Sequence, residues 1–278
     1  LPSKFPPLKT LEAPSEDDRY RLIRQIGSGG MADVYLVSSE RPGGFRKLQV
    51  LKLMRSDLTD QELPEFLQMF EDEARLAARL NHPNIVQSFE VGAEEGQPYI
   101  VMEFLEGQSL YRVQQRARHL HGGFPTEMEL FVLCQVLEGL EYAHKLTDYA
   151  GQPLHIVHRD VSPQNILISY TGQIKLLDFG VAKTLESSKT RAGVVKGKVA
   201  YMPPEQVASG PVDQRADLFS VGVLLWEAVA GQAMHAELSV YESMSRLLRG
   251  DLPKLRDAVP NVNSELERIV ERALQIDP

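Results

Sequence analysis

The hydrophobic pattern of the chain changes its period once, near Gly107, and that change limits the folds open to it. From Tyr20 to about Val101 the apolar residues come in short runs of strand character. "YRLIRQIG" from Tyr20, "ADVYLVSS" from Ala32 and "KLQVLKLM" from Lys47 read as three strands, the first two joined by a glycine turn. A single helix interrupts them, with Phe66, Met69, Phe70, Ala74 and Ala77 at helical spacing. "IVQSFEVGAE" and "QPYIVMEF" then form a pair around a Gly-containing turn. After Gly107 the period is helical. "TEMELFVLCQVLEGLEYAHKL" predicts a long amphipathic helix with Thr126 as its N-cap, and "ADLFSVGVLLWEAVAG" predicts a buried one. Only "NILIS" and "QIKLLD", on either side of "YTG", return to strand character. A small β-rich lobe followed by a larger helical one is an α+β arrangement, with a ligand cleft expected between the lobes.

Composition narrows the class of function. At 43% hydrophobic and 24% charged the chain can bury a core, and its net charge of −8 gives no electrostatic case for nucleic acid or an anionic membrane as main partner. Among protein substrates, basic ones are mildly favoured. The lone Cys134 excludes an intramolecular disulfide and fits a reducing compartment; its neighbours Leu130, Phe131, Val132 and Leu133 predict a buried, inert thiol. Residues 1–17, with Pro2, Pro6, Pro7 and Pro14, read as an extended leader with no signal-peptide pattern. The longest apolar stretch, Leu218 to Ala230, is interrupted by Glu227 and too short to span a bilayer. A cytoplasmic location is expected for these residues. Because the chain starts at Leu1 and stops at Asp277-Pro278, both ends are expected to be cut and the chain to be part of a longer protein, and an anchor elsewhere in that protein stays open.

Four places carry chemistry. Gly27-Ser28-Gly29-Gly30-Met31-Ala32 lies between two strands, where glycines let main-chain N–H groups approach a polyphosphate; a plain glycine hairpin fits equally. Lys52 lies in a strand and Glu73 on the following helix. Each taken alone suits a solvated face, whereas together they suit a cleft lysine fixed by a carboxylate. His158-Arg159-Asp160-Val161-Ser162-Pro163-Gln164-Asn165 offers Asp160 to orient a hydroxyl proton and Asn165 to bind a metal. Asp178-Phe179-Gly180 follows the strand "IKLL" and sets a hard carboxylate at a strand end.

This set, in this order, resembles the eukaryotic-type protein kinase family over about Tyr20 to Pro278. Met202-Pro203-Pro204-Glu205 matches the family's Ala-Pro-Glu position, and Asp217 matches the aspartate that anchors the catalytic-loop backbone. "GSGGMADVYLV", "RLNHPNIV", "YIVMEFLEG" and "AYMPPEQ" are most similar to bacterial serine/threonine kinases, and "PLHIVHRDVSPQNILIS" to those of myxobacteria. The resemblance implies a bilobal kinase domain over residues 18–278, with an N-lobe to about 103, a C-lobe from about 104, and ATP in the cleft. It implies transfer of the γ-phosphoryl group of Mg·ATP, with Mn²⁺ as a substitute ion, to serine or threonine hydroxyls of proteins. Lys52, fixed by Glu73, would hold the α- and β-phosphates; Asn165 and Asp178 would bind the metal; Asp160 would take the hydroxyl proton. Ile26, Gly27, Ser28, Gly29 and Gly30 would cover the nucleotide. Val34, Val50 and Leu167 would sandwich the adenine, Met102 would guard the back of its pocket, and the backbone of Glu103 and Leu105 would hydrogen-bond it.

Three positions depart from the family pattern. Ala32 replaces the third glycine, Ser162 stands where serine/threonine kinases usually carry a lysine, and Lys198 where they usually carry a threonine. Lys198 is either the replacement for the cation missing at 162 or a solvated residue. Arg159, beside Asp160, implies regulation by autophosphorylation, with Thr184, Ser187, Ser188 and Thr190 as candidates and dimerisation for reaction in trans. Glu205 usually pairs with an arginine beyond Pro278, so the fragment is expected to lose stability. A pseudokinase scaffold is the alternative reading, followed by a small-molecule kinase and by tyrosine specificity. The presence of Lys52, Asp160 and Asp178 argues against the first.

Overall fold

Strand alternation in the first hundred residues produces one antiparallel sheet in the computed structural model, which describes residues 20–41, 45–55, 63–94, 96–179, 199–235 and 238–276. Its strands are β1 (Tyr20–Ser28), β2 (Ala32–Arg41), β3 (Phe45–Met54), β4 (Ser88–Glu94) and β5 (Gln97–Glu103), in the order β1-β2-β3-β5-β4. Directly paired residues share a face of an antiparallel sheet. The register pairs Val34 with Lys52, Lys52 with Ile100, Leu36 with Val50, and Val50 with Met102, so all six side chains occupy one face. On the other, Val37, Leu51 and Val101 form a buried cluster against Tyr20, Tyr35 and Tyr99. Helix α1 (Leu63–Ala77) buries Phe66, Phe70 and Ala74 of the stripe expected from its periodicity, together with Glu73, while Met69 and Ala77 are only half-buried. These strands and most of α1 form one unit, up to Ala74 and from Gln87 to Phe104.

The second unit holds Arg75–Val86 and everything from Leu105 on. A three-stranded sheet, β6 (Gly107–Ser109), β7 (Ile166–Ser169) and β8 (Ile174–Leu176), carries its loops. Gly107 is obligatory there, because a Cβ at that position would lie 2.3 Å from the Ile168 carbonyl oxygen. The helices are α2 (Leu110–His121), α3 (Thr126–His144), α4 (Pro204–Val207), α5 (Arg215–Ala230), α6 (Val240–Arg249), α7 (Leu255–Ala258) and α8 (Ser264–Ala273). Burial over most of its surface, from Phe219 to Ala228, makes α5 the core helix, consistent with its largely apolar sequence. Gly222 lets α5 and α8 touch, since a Cβ on it would sit 2.7 Å from that of Ala273. No helix among the described residues is long and apolar enough to cross a membrane.

Two local expectations are corrected. Thr126 is the first helical residue of α3 and not its cap; Pro125 occupies the cap, and the Thr126 hydroxyl donates to the Ala228 carbonyl at 3.3 Å. Cys134 is exposed. At about 100° per residue it falls on the outward face with Phe131 and Leu137, while Val132, Leu133, Val136 and Leu140 turn inward. The outward face is itself apolar, so the local sequence disguised which side faces solvent. Residues 1–17, Gly180, Thr184, Ser187, Ser188, Thr190, Lys198, Asp277 and Pro278 lie outside the described residues.

Candidate active site

In the first unit the motif residues are assembled by strand register. Lys52, in the middle of β3, is 6% exposed and its ammonium contacts Glu73 of α1, which is 8% exposed. Both solvated-face readings are thereby excluded, because each group is nearly closed to solvent. Val34, Val50 and Met102 lie on the Lys52 face, and Gly27 pairs with Val34. The glycine segment closes as a tight turn, Gly29 N–H donating to the Ala32 carbonyl at 2.8 Å, and leaves Ile26, Ser28, Gly29 and Gly30 exposed. Arg55 N–H donates to the Met31 carbonyl at 2.9 Å, tying the turn to the end of β3. The Glu103 N–H is committed to the Gln87 carbonyl at 2.9 Å, so a contact made by the Glu103 backbone with a base would fall to its carbonyl.

In the second unit the loop before β7 is organised by a buried carboxylate. Asp217, at the start of α5 and 0% exposed, accepts the backbone N–H groups of His158 and Arg159, both at 2.8 Å, and the His144 ring at 2.8 Å. A buried carboxylate needs such donors to offset its lost hydration. His158 donates from Nε2 to the Leu177 carbonyl at 2.8 Å and accepts the Asp160 N–H on Nδ1 at 3.2 Å. A carbonyl can only accept and an amide can only donate, so these partners fix the tautomer with hydrogen on Nε2. The Phe179 ring lies 4.6 Å from that of His158, centroid to centroid.

Asn165 donates its amide to the Asp160 carbonyl at 2.8 Å and to the Asp160 carboxylate at 2.6 Å. Both partners are acceptors, so the contacting atom is nitrogen and the amide oxygen is the atom left for a cation. Leu177 N–H donates to the Asn165 carbonyl at 2.8 Å, which brings Asp178 beside Asn165. Arg159 (φ 64°) and Asp178 (φ 43°) both hold left-handed backbone, which packing must enforce on residues that carry a Cβ. Leu167 is half-buried in β7, paired with Lys175 and Ser109. Ser162 is 1% exposed and its hydroxyl has no partner among the described residues. Glu205, half-buried, forms no ion pair among the described residues, and desolvation raises its pKa. Sequence reasoning missed the roles of His144, which lies in no recognisable local motif, and of Gln206, which ends the run "AYMPPEQ" but was assigned nothing there. A groove of about 910 Å³ beside α2, lined by Val113, Ala117, Leu120, Phe124 and Met128 among others, holds none of the motif residues.

The first unit holds an ion-paired strand lysine, and the second holds an aspartate and an asparagine joined within one loop with a carboxylate at the following strand end; these are the residue types that phosphoryl transfer uses. The chain belongs to the protein kinase domain family, whose model matches residues 20–278. It is 44% identical over 264 residues to the tyrosine-protein kinase MasK of Myxococcus xanthus, a match that covers 93% of this chain and 40% of that one. It is 34% identical to the serine/threonine-protein kinase PrkC of Bacillus subtilis, covering 94% and 38%. The chain therefore spans about two fifths of the length of these two relatives. The crystal structure of the Mycobacterium tuberculosis PknI kinase domain matches with a TM-score of 0.64 at 26% identity, covering 94% of this chain and 89% of that one.

A protein kinase domain uses ATP and a divalent metal. The donor set here suits a hard cation, since Asn165 offers an amide oxygen and Asp178 a carboxylate. Among the described residues no group of three or more His, Cys, Asp or Glu would hold a metal unaided.

Proposed function

We propose that this chain transfers the γ-phosphoryl group of ATP to serine or threonine hydroxyls of proteins. The observation that carries the reading is the hydrogen-bonded Asp160–Asn165 pair, which aims one carboxylate and leaves one amide oxygen for a metal. In this reaction the substrate oxygen attacks the γ-phosphorus, the bond to the ADP oxygen breaks, and the hydroxyl proton passes to Asp160. Lys52, held by Glu73, neutralises the α- and β-phosphates. Asn165 and Asp178 hold the ion, Mg²⁺ in the first instance with Mn²⁺ as a substitute, whose charge offsets that of the phosphates. Ile26, Gly27, Ser28, Gly29 and Gly30 cover the nucleotide; Val34, Val50, Met102, Glu103, Leu105 and Leu167 take the adenine. The preference for serine and threonine draws support from relatives such as PrkC, named for that activity. Autophosphorylation in trans, through a transient dimer in the cytoplasm, belongs to the same proposal.

A second reading is tyrosine transfer, which rests on the MasK name and on Ser162 in place of lysine. One assay separates these readings from a pseudokinase. Purified chain, γ-labelled ATP, Mg²⁺ and a basic protein acceptor are combined, with Asp160→Asn and Lys52→Met alongside, and labelled amino acids are identified. Label on serine or threonine that both variants lose is the expected result. Label on tyrosine would move the assignment, and a folded chain that neither labels nor binds Mg·ATP would be a pseudokinase.

A further inference from the structure

We propose that Gln206 is a positioning residue for phosphoryl transfer, pinning the peptide between Arg159 and Asp160 from the side opposite to His158. Gln206 lies in α4, directly after Met202-Pro203-Pro204-Glu205, and is 5% exposed. Its Nε2 donates to the Arg159 carbonyl at 3.0 Å. That carbonyl and the Asp160 N–H are the two ends of one planar peptide unit. The N–H end donates to His158 Nδ1 at 3.2 Å, so the plane is held at both ends. Its orientation fixes ψ of Arg159 and φ of Asp160, and hence the direction in which the Asp160 side chain leaves the backbone. Asn165 then fixes the carboxylate itself.

The local backbone shows why the peptide needs holding. Arg159 has φ 64°, a conformation that a residue with a Cβ adopts rarely and keeps only when its surroundings enforce it. Asp217 takes the Arg159 N–H at 2.8 Å and Gln206 takes its carbonyl, so both backbone groups of the strained residue are bound by buried side chains. The amide of Gln206 has a single orientation, because the Arg159 carbonyl can only accept. Its Oε1 is buried without a partner among the described residues. A residue chosen for packing alone would gain nothing from that exposed-to-no-water oxygen, whereas a neutral donor of this length at this carbonyl requires an amide. Through Gln206 the helix that carries the end of the Pro-Pro-Glu stop is joined to the peptide that leads into the residue proposed to take the proton.

The inference rests on the proposed role of Asp160, and the test keeps the two apart. Initial rates of the full chain are compared for wild type, Asp160→Asn, Gln206→Met and Gln206→Glu, with thermal unfolding of each. Gln206→Met keeps the volume and removes the donor. It is expected to lower kcat about 10- to 100-fold, the scale of a misplaced catalytic group, with KM for ATP little changed. Gln206→Glu donates to the Arg159 carbonyl only when protonated, so its rate relative to wild type is expected to recover as the pH falls, while Gln206→Met shows no such recovery. That acid recovery also serves if Gln206→Met folds poorly. If Asp160→Asn abolishes transfer but Gln206→Met keeps the wild-type kcat, the positioning role is wrong and the proposed function stands. A loss in Gln206→Met with no acid recovery in Gln206→Glu assigns Gln206 to packing and also overturns the inference. Transfer that persists in Asp160→Asn would instead remove the functional reading.

Discussion

The side-chain amide of Asn165 donates to both the backbone carbonyl and the carboxylate of Asp160, at 2.8 and 2.6 Å. On the proposed reading one residue thus orients the proton acceptor and would present an oxygen to the metal. Asn165→Ala is expected to lower kcat and to raise the Mg²⁺ concentration for half-maximal transfer by about 10- to 100-fold, in the range seen when metal-site groups are removed. A Mg²⁺ titration of initial rates checks this, and an unchanged half-maximal concentration would remove Asn165 from the metal site. Chelation of the divalent ion is expected to stop transfer, and added Mg²⁺ or Mn²⁺ to restore it.

Lys52 and Glu73 form an ion pair with side chains only 7% and 10% exposed. Removing one partner breaks the ion pair and leaves the other charge in a site that is nearly closed to water. Lys52→Met is therefore expected to destabilise the fold by about 3–5 kcal/mol as well as to abolish transfer. Replacing both, as Lys52→Met with Glu73→Met, is expected to restore most of the stability and none of the activity. Urea unfolding of the wild type and both variants decides the point; equal loss in the single and double variants would show that the pair is not coupled.

Desolvation holds Glu227 above the usual carboxylate range, only partly offset by the Met234 N–H and the Tyr201 hydroxyl, which donate to it at 3.0 Å each. Burial moves Glu129 and Glu205 in the same direction. A group whose folded pKa is raised keeps its proton longer in the folded state. Its contribution is complete below roughly pH 4.3, the ordinary glutamate value, and is lost as the pH rises through the raised one. Glu227→Gln is expected to flatten the fall in thermal stability across that interval. Parallel curves for wild type and variant would mean that Glu227 does not titrate there.

Cys134 faces outward on α3 and is the chain's single cysteine. A maleimide is expected to modify the native chain at one equivalent, at the rate measured in denaturant to within about tenfold. Protection until unfolding would return Cys134 to the core.

The legible part of this protein was whatever depends on nearest neighbours along the chain. Period-two and helical runs gave the five-stranded sheet, α1, α3 and α5, because side-chain spacing decides which face each element can bury. The residue types and order at Lys52, Asp160, Asn165 and Asp178 carried the family resemblance without any coordinates. What the tertiary structure decided lies between residues far apart. His144 reaches Asp217 across 73 positions and Gln206 reaches Arg159 across 47, and helix packing sets both contacts. The outward turn of Cys134 also needed the neighbouring elements, since an apolar helix with two apolar faces has no local signal for which one meets the core. Local patterning fixes which elements form, whereas the hydrogen bonds that aim Asp160 require those elements to have packed.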